Sequence, residues 1–366
     1  MTVPHSQAIP VEAIKGRGAA TRLAHRFTKD ARDGFDDGWG GLDEAAGQAG
    51  AAVPTQLIWE QARSAISRNQ SPDIYFEQSI NPYRGCEHGC IYCFARPTHS
   101  YLNLSPGLDF ETKIIAKRNI AALLRAELAS PRYVPQGLVI GTVTDCYQPL
   151  ERELRLTRAL IEVLGEARHA FSLITKSSGV ERDLDLLAPL AAQQLAAVYI
   201  TVTTLDGEIA RTLEPRAASP QRRLRTIRTL AEAGVPVGVS VAPQIPFVTD
   251  DMEQVLAAAW EAGARSAFYT VLRLPWEVAP LFRQWLELHM PQRAERVMAR
   301  VQEMRGGKDY DSDFSTRMKG SGVWAELIRQ RFHKACARLG FNRERAGLDL
   351  SQFRRPTLDG QGDLFG

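Results

Sequence analysis

Short apolar runs alternate with longer amphipathic stretches along residues 75–290 of the chain. Between the runs, apolar residues recur at helical spacing, for example at Ile120, Leu124 and Leu128. Alternating strands and helices favour parallel strands joined by crossover helices. Six apolar runs predict strands: Ile74–Ile80, Leu138–Thr144, Phe171–Thr175, Ala197–Thr203, Val235–Val241 and Ser266–Leu272.

The number of strand–helix units limits the architecture. A closed barrel of eight units usually needs about 250 residues, whereas residues 75–290 hold six units. We therefore expect an α/β fold built as a partial (β/α)6 barrel. Residues 1–74 form an N-terminal extension that is expected to be partly disordered, because residues 29–50 are acidic, glycine-rich and with little periodicity. Residues 291–366 predict a mainly helical appendage and a flexible tail.

Three cysteines near the first strand carry the strongest chemical signal. Cys86, Cys90 and Cys93 follow the spacing Cys-x3-Cys-x2-Cys. Thiolate is the ligand that iron–sulfur clusters select, and three thiolates leave the fourth iron of a four-iron cluster open for chemistry. A structural zinc completed by His88 or His99 is the alternative, but zinc sites usually join two separate ligand pairs and no second pair is present.

Composition and charge add few constraints. The chain has 44% hydrophobic and 24% charged residues, which is typical of a soluble globular protein. No apolar run is long enough to span a membrane, and the N-terminus lacks the layout of a secretory signal, so we expect a reducing cytoplasm. Residues 291–366 hold 15 Lys and Arg against 10 Asp and Glu. This excess suits phosphate contacts and a solvated helix face equally well.

The wider run around the cysteines, from Asn81-Pro-Tyr-Arg-Gly-Cys to Phe94-Ala-Arg-Pro97, resembles the radical S-adenosylmethionine (SAM) superfamily, in the branch related to spore photoproduct lyase. The resemblance implies an enzyme with a [4Fe–4S] cluster on the three cysteines. In such enzymes SAM binds the open iron and is cleaved reductively to a 5′-deoxyadenosyl radical, which removes hydrogen from a substrate. It also implies an electron donor such as flavodoxin or ferredoxin.

Residues at the carboxyl ends of the predicted strands match the cofactor pocket of this branch. The relatives use a Ser/Thr-Asp pair, a Thr-Lys pair and a strand-four hydroxyl, and the positions that match here are Thr144, Asp145, Thr175, Lys176 and Thr201. The resemblance implies that Thr144, Asp145, Lys176 and Thr201 bind SAM. Lys176 also fits a surface lysine at the start of a loop.

The chain departs from the lyase at its hydrogen donor. The lyase has a cysteine just before the Ser/Thr-Asp pair, whereas this chain has Gly141-Thr142-Val143. Cys146 and Tyr147 are the candidate catalytic residues that remain, although Cys146 equally fits a small buried hydrophobe. Thymine-dimer repair is therefore not expected. Cys336 lies on an apolar helical pattern and is expected in the core.

The C-terminal segment Gln361–Phe365 resembles the pentapeptide that docks bacterial repair proteins on the sliding clamp, with glycine in place of the usual leucine. A disordered tail or a contact with the protein's own core are the alternatives. The leading hypothesis is a macromolecular substrate, with nucleic acid ahead of protein. Modification of a peptide or small molecule, and a non-catalytic metal-containing DNA-binding or redox-sensing protein, are the competing functions.

Overall fold

The computed structural model describes residues 11–28, 53–343 and 347–357. Its strands are β1 (Gln56–Glu60), β2 (Ile66–Arg68), β3 (Gln78–Ile80), β4 (Tyr83–Arg84), β5 (Lys113–Lys117), β6 (Leu138–Ile140), β7 (Phe171–Thr175), β8 (Ala196–Thr201), β9 (Val237–Ser240) and β10 (Ser266–Phe268). Its α-helices are α1 (Leu108–Thr112), α2 (Ile120–Ala129), α3 (Glu151–Leu154), α4 (Leu156–Glu166), α5 (Leu184–Ala192), α6 (Gly207–Leu213), α7 (Pro220–Glu232), α8 (Met252–Glu261), α9 (Val278–His289), α10 (Ala294–Glu303) and α11 (Gly322–Leu339). Short 3-10 helices span Arg96–Leu102, Ser178–Asp183 and Leu350–Gln352.

Seven strands form the main sheet in the order β10-β9-β8-β7-β6-β3-β2. The six strands from β3 to β10 are parallel and follow one another in chain order, and β2 pairs antiparallel with β3. Within the described residues β2 and β10 each pair on one side only, so the sheet does not close. The prediction of a partial barrel of six strand–helix units is confirmed, and each of the six predicted strands overlaps an observed one.

Three strands of a second sheet were absent from the sequence-based expectation. This sheet has the order β1-β5-β4, with β1 and β5 parallel and β4 antiparallel to β5. Strand β5 reads Lys-Ile-Ile-Ala-Lys, an apolar run of three residues that is too short to stand out. Strand β2 begins at Ile66, so backbone pairing with the main sheet starts before residue 75.

Burial on both faces explains why the central strands are easily predicted from the sequence. Strands β7 and β8 are covered on both faces and therefore read as nearly continuous apolar runs. Helix α7 begins at the capping residue Ser219, ends before Gly234, and leads into β9, as the Ala-Gly-Val-Pro-Val run predicts. Helix α11 packs against α8, and Cys336 belongs to the core as expected.

Two regions named above lie wholly outside the described residues: the acidic, glycine-rich segment 29–50 and the clamp-like segment Gln361–Phe365. No helix in the described part of the chain is long and apolar enough to cross a membrane.

Candidate cofactor site

The cysteine loop follows β4 and begins in two consecutive turns. The N–H of Gly89 donates to the Cys86 carbonyl at 3.3 Å, and the N–H of Cys93 donates to the Cys90 carbonyl at 3.2 Å. Gly89 has a positive φ of 66°, and a Cβ atom there would lie 2.7 Å from Glu111 Oε2. The glycine is therefore required both by the turn and by the close approach of Glu111.

Arg96 anchors this loop from within the protein. The guanidinium is fully buried and donates to the carbonyls of Gly89, Cys90, Pro106 and Gly107 at 2.9–3.2 Å. Its remaining donor meets the fully buried carboxylate of Glu111. All five N–H donors of Arg96 thus have acceptors, two of which are carbonyls of the cysteine loop.

Glu111 also connects the loop to the N-terminal segment. Its carboxylate accepts hydrogen bonds from the N–H groups of Gly18 and Ala19, both at 2.9 Å. A Cβ atom on Gly18 would lie 1.9 Å from the Gly89 carbonyl oxygen. Residues 11–28 therefore pack directly on the cysteine loop.

A second anchor comes from the loop after β6. The N–H of Glu87 donates to Gln148 Oε1 at 2.9 Å, and the Glu87 carboxylate accepts from the N–H of Leu150 at 2.8 Å. Thr144 reaches back in the same way, with its hydroxyl donating to the Tyr83 carbonyl at 3.0 Å. The predicted site residue Thr144 is thus buried and holds strand β4 next to the loop after β6.

Asp145 joins three segments through one carboxylate. Its Oδ1 accepts from the Thr175 hydroxyl at 2.6 Å and from the N–H of Tyr147 at 2.9 Å. Its Oδ2 accepts from the N–H of Lys176 at 2.7 Å and lies 3.2 Å from His88 Nδ1, a short contact with poor hydrogen-bond alignment. Burial acts to raise the pKa of Asp145, but interactions with His88, Thr175 and Lys176 outweigh it and keep the pKa well below its usual range.

Lys176 extends from the end of β7 towards the cysteines. Its ammonium lies 5.9 Å from the centre of the Tyr92 ring. Burial acts to lower the pKa of Lys176, but the charges of Cys90 and Glu214 raise it above its usual value. The side chain is therefore a half-buried cation beside the second cysteine.

A buried acidic network supports that cation. Glu214 accepts hydrogen bonds from the hydroxyls of Tyr92 and Thr203 and forms an ion pair with Arg223. Burial acts to raise the pKa of Glu214, but Arg223 and Lys176 lower it to about 2. The backbone of the following loop meets the cysteine loop, since the N–H of Arg216 donates to the His88 carbonyl at 3.3 Å.

The remaining predicted residues occupy less open positions. Thr201 is buried at the end of β8, and its carbonyl accepts from Arg223 at 3.1 Å. Cys146 is fully buried in the main core, with Sγ 3.7 Å from the Ile174 carbonyl oxygen. This placement favours the interpretation of Cys146 as a small buried hydrophobe. The Tyr147 hydroxyl donates to Asp183 at 2.9 Å within the buried interior.

The three thiols fit a shared metal group by their chemistry and surroundings. Burial raises the pKa of Cys86, and the neighbouring charges of Asp145 and Cys90 raise it further. Burial also raises the pKa of Cys90 to about 12 and that of Cys93 above its usual value. A bound metal replaces the proton on such thiols. In the described part of the chain, no three His, Cys, Asp or Glu side chains converge as ligands of one ion, whereas a four-iron cluster binds each thiolate to a different iron.

Both histidines considered as zinc ligands have other contacts. His88 Nδ1 faces Asp145, as described above, and His99 Nε2 lies 3.1 Å from the Lys113 carbonyl oxygen. Burial lowers the pKa of His99 to about 4. The two rings therefore take part in holding the loop, which favours the cluster over the zinc alternative.

Sequence comparison decides the family, because a model of the Radical SAM superfamily matches residues 80–259. The chain belongs to the radical SAM superfamily. Members of this superfamily are enzymes that use a [4Fe–4S] cluster and SAM and that need an electron donor. An uncharacterized protein of Mycobacterium tuberculosis is 37% identical over 224 residues, which cover 60% of this chain and 66% of the mycobacterial protein. An uncharacterized protein of Methanocaldococcus jannaschii is 25% identical over 242 residues, covering 66% of this chain and 86% of the relative.

Solved structures give the same fold. Two variants of spore photoproduct lyase superpose with TM-scores of 0.50 and 0.51, at 16% and 15% identity. The alignments cover 78% and 80% of this chain and 80% and 86% of the respective lyase chains. At this identity the likeness concerns the fold, and the partial-barrel architecture of the radical SAM chain is confirmed.

No motif in the sequence marks Arg96, Glu111, Glu87 and Gln148 as supports of the cysteine loop. Their partners are mostly backbone groups, which leave no pattern in a sequence. One local signal was present: Arg96 comes three residues after Cys93, so a turn directs it back towards the loop.

Proposed function

We propose that this chain is a radical SAM enzyme in which Cys86, Cys90 and Cys93 hold a [4Fe–4S] cluster and SAM binds beside them. Cluster and SAM together would supply a 5′-deoxyadenosyl radical for hydrogen abstraction from a substrate. The observation that carries the proposal is the position of the Lys176 cation, which lies at the carboxyl end of β7 beside Cys90 of the cysteine loop. We expect the reaction to take place in a reducing cytoplasm with flavodoxin or ferredoxin as electron donor.

Lys176 and Asp145 have different roles in this proposal. Lys176 is held protonated and can neutralise the carboxylate of SAM. Asp145 has both carboxylate oxygens in contact with the protein, so we assign it to holding the ends of β6 and β7 in register. Thr144 and Thr201 border the same strand ends, and we propose that they complete the wall of the SAM pocket.

Nucleic acid is the favoured substrate, and an exposed aromatic cluster supports this choice. The Arg26 guanidinium lies over the rings of Phe27, Tyr101 and Trp276 at 4.5–5.1 Å. These rings are 51%, 68% and 62% exposed. Exposed aromatic rings interleaved with arginine stack unpaired bases in proteins that bind single strands. A spore photoproduct lyase of similar fold has been solved with a dinucleoside spore photoproduct, which is consistent with this class.

The test is anaerobic reconstitution followed by incubation with dithionite, SAM and deuterium-labelled pools of oligonucleotide or peptide. We expect deuterium in 5′-deoxyadenosine from the oligonucleotide pool. Transfer from the peptide pool instead would assign the alternative substrate class. Complete absence of 5′-deoxyadenosine with every pool would contradict the enzymatic proposal and favour a metal-containing binding or sensing protein.

The matched variants are Lys176→Met and Lys117→Met. The Lys176 substitution removes the cation beside Cys90, whereas Lys117 is a half-buried lysine whose ammonium donates to the Asn81 carbonyl. We expect Lys176→Met to raise the SAM concentration needed for half-maximal cleavage while leaving iron content unchanged. Equal SAM dependence in the two variants would contradict the role of Lys176.

A further inference from the structure

A cavity of about 300 Å³ reaches the cysteine loop at His88. Its wall contains none of Thr144, Asp145, Lys176 and Thr201, and it adjoins them through His88 and Tyr147, which both contact Asp145. His88, between the first two cysteines, is the residue that the cavity shares with the loop. The wall is formed by His88, Tyr147, Pro149, Arg152, Ser177, Ser178, Arg216, Ala217, Ala218, Ser219, Arg222 and Arg225.

The charge of this wall is strongly positive. Four arginines line the cavity, and none of the lining residues is acidic. Arg222 forms a two-pronged pair with Glu181 at 2.6 and 2.7 Å, and Arg216 lies 3.2 Å from Glu87. Within the described residues Arg152 and Arg225 form no ion pair. Two guanidinium groups at the cavity are therefore available to an anion.

Neutral donors add to this charge. Helix α7 begins at the cavity with Ser219 as its capping residue, so the positive end of a thirteen-residue helix is directed at the space. Ser177 and Ser178 contribute hydroxyl groups from the loop after β7. The His88 ring also lines the cavity, while its Nδ1 faces Asp145 Oδ2 at 3.2 Å. Arginine, serine and a helix amino terminus are together the donors that proteins use to bind phosphate.

We propose that this cavity binds a phosphate group of a nucleic-acid backbone and thereby holds the strand beside the cysteine loop. Guanidinium groups bind phosphate in a two-pronged manner, and the volume accommodates a phosphate with part of its sugar. Phosphate binding stands independently of the radical chemistry. Only the choice of nucleic acid as the source of the phosphate rests on the proposed function.

The test compares Arg152→Gln/Arg225→Gln with the control Arg211→Gln/Arg228→Gln in the full-length chain. The control removes two exposed arginines from α6 and α7 that do not line the cavity, so both double variants carry the same net charge. Binding of a fluorescein-labelled single-stranded oligonucleotide is followed by anisotropy at several salt concentrations, without SAM or reductant. Thermal midpoints establish that both variants are folded.

We expect the cavity variant to bind the oligonucleotide at least about tenfold more weakly than the control at low salt. The slope of log affinity against log salt concentration should be smaller in magnitude by about 1.4, the value for the loss of two phosphate contacts to a single strand. Inorganic phosphate should compete with the oligonucleotide in the wild type and the control. Equal affinity and slope in the two variants would refute the proposal. If inorganic phosphate bound the wild type but not the cavity variant, while both bound the oligonucleotide equally, the cavity would be a phosphate site that does not serve nucleic acid and the proposal would be wrong.

Two further measurements on the cavity variant, electron transfer from the donor and SAM cleavage, separate a phosphate site from a docking surface for the electron donor. If the cavity variant bound the oligonucleotide normally but failed to accept electrons from an acidic flavodoxin, the surface would be a docking site for the donor and the proposal would be wrong. SAM cleavage without substrate should be the same in the cavity variant and the wild type. Absence of cleavage in the wild type would refute the proposed function and leave the phosphate site standing.

Discussion

Arg96→Met tests whether the cysteine loop depends on a buried cation. The substitution keeps an unbranched apolar stem of similar length but removes five N–H donors. Glu111 would then be a buried carboxylate without its ion-pair partner, a change that typically costs about 3–5 kcal/mol. Two carbonyls of the cysteine loop would lose their donor at the same time. We therefore expect both a less stable protein and a lower iron content after reconstitution.

Arg84→Met is the matched control, because Arg84 lies two residues before Cys86 and also pairs with a carboxylate. Its pair with Glu60 is exposed, with 44% and 26% of the two side chains accessible, and such pairs contribute about 0–1 kcal/mol. The assay is urea unfolding of the metal-free chains, together with iron per chain and the visible absorbance of the reconstituted ones. The reasoning would be refuted if Arg96→Met lost less than about 1 kcal/mol and bound as much iron as Arg84→Met.

Three further predictions concern other parts of the molecule. Alanine at Cys86, Cys90 or Cys93 should reduce the iron bound after reconstitution from about four atoms per chain to a small fraction. Cys146→Ala should bind as much iron as the wild type, and an equal loss of iron in this variant would contradict the assignment of Cys146 to the core. Gly18→Ala should lower iron content because its Cβ atom meets the Gly89 carbonyl, whereas Gly207→Ala has open space and should not; indistinguishable iron contents would contradict this. Burial lowers the pKa of His169 to about 4, so the unfolded chain takes up a proton near pH 6.5 that the folded chain does not, and stability is lost as pH falls from about 6.5 to 4. His169→Gln should flatten the fall of the urea midpoint in this range, and an unchanged slope would count against the assignment.

The central strands could be predicted from sequence because their burial is uniform. Strand β7 has the bounds that its apolar run predicts, since both of its faces are covered. Strand β5 was missed because its apolar run is short and has a lysine at each end. The grouping of Asp145 and Lys176 followed from parallel topology, which brings strand ends to one edge of the sheet.

Side-chain roles within the site were less predictable, because they depend on contacts that no pattern encodes. Asp145 and Lys176 are both polar residues that follow a strand. Both carboxylate oxygens of Asp145 accept hydrogen bonds from the protein. The Lys176 ammonium forms no ion pair with a carboxylate within the described residues and lies over the Tyr92 ring. The difference arises because the backbone N–H of Lys176 lies 2.7 Å from Asp145 Oδ2, whereas the Lys176 side chain extends away from Asp145 towards Tyr92. Parallel topology therefore brings these two strand ends together, as the sequence predicts, whereas the division of their residues between binding and positioning remains a proposal that rests on the contacts.

The N-terminal segment shows how far the support of the cysteine loop extends along the chain. Arg17 donates to the Glu111 carbonyl at 2.8 Å, and the next two N–H groups occupy the Glu111 carboxylate that Arg96 also binds. Gly18 must lack a side chain because the Gly89 carbonyl is so close. Arg17 and Gly18 are thus explained by packing on the cysteine loop. Since the Glu111 carboxylate joins residues 11–28 to Arg96 and the cysteine loop, a substitution in any of these three parts should lower the iron content that the cysteines bind.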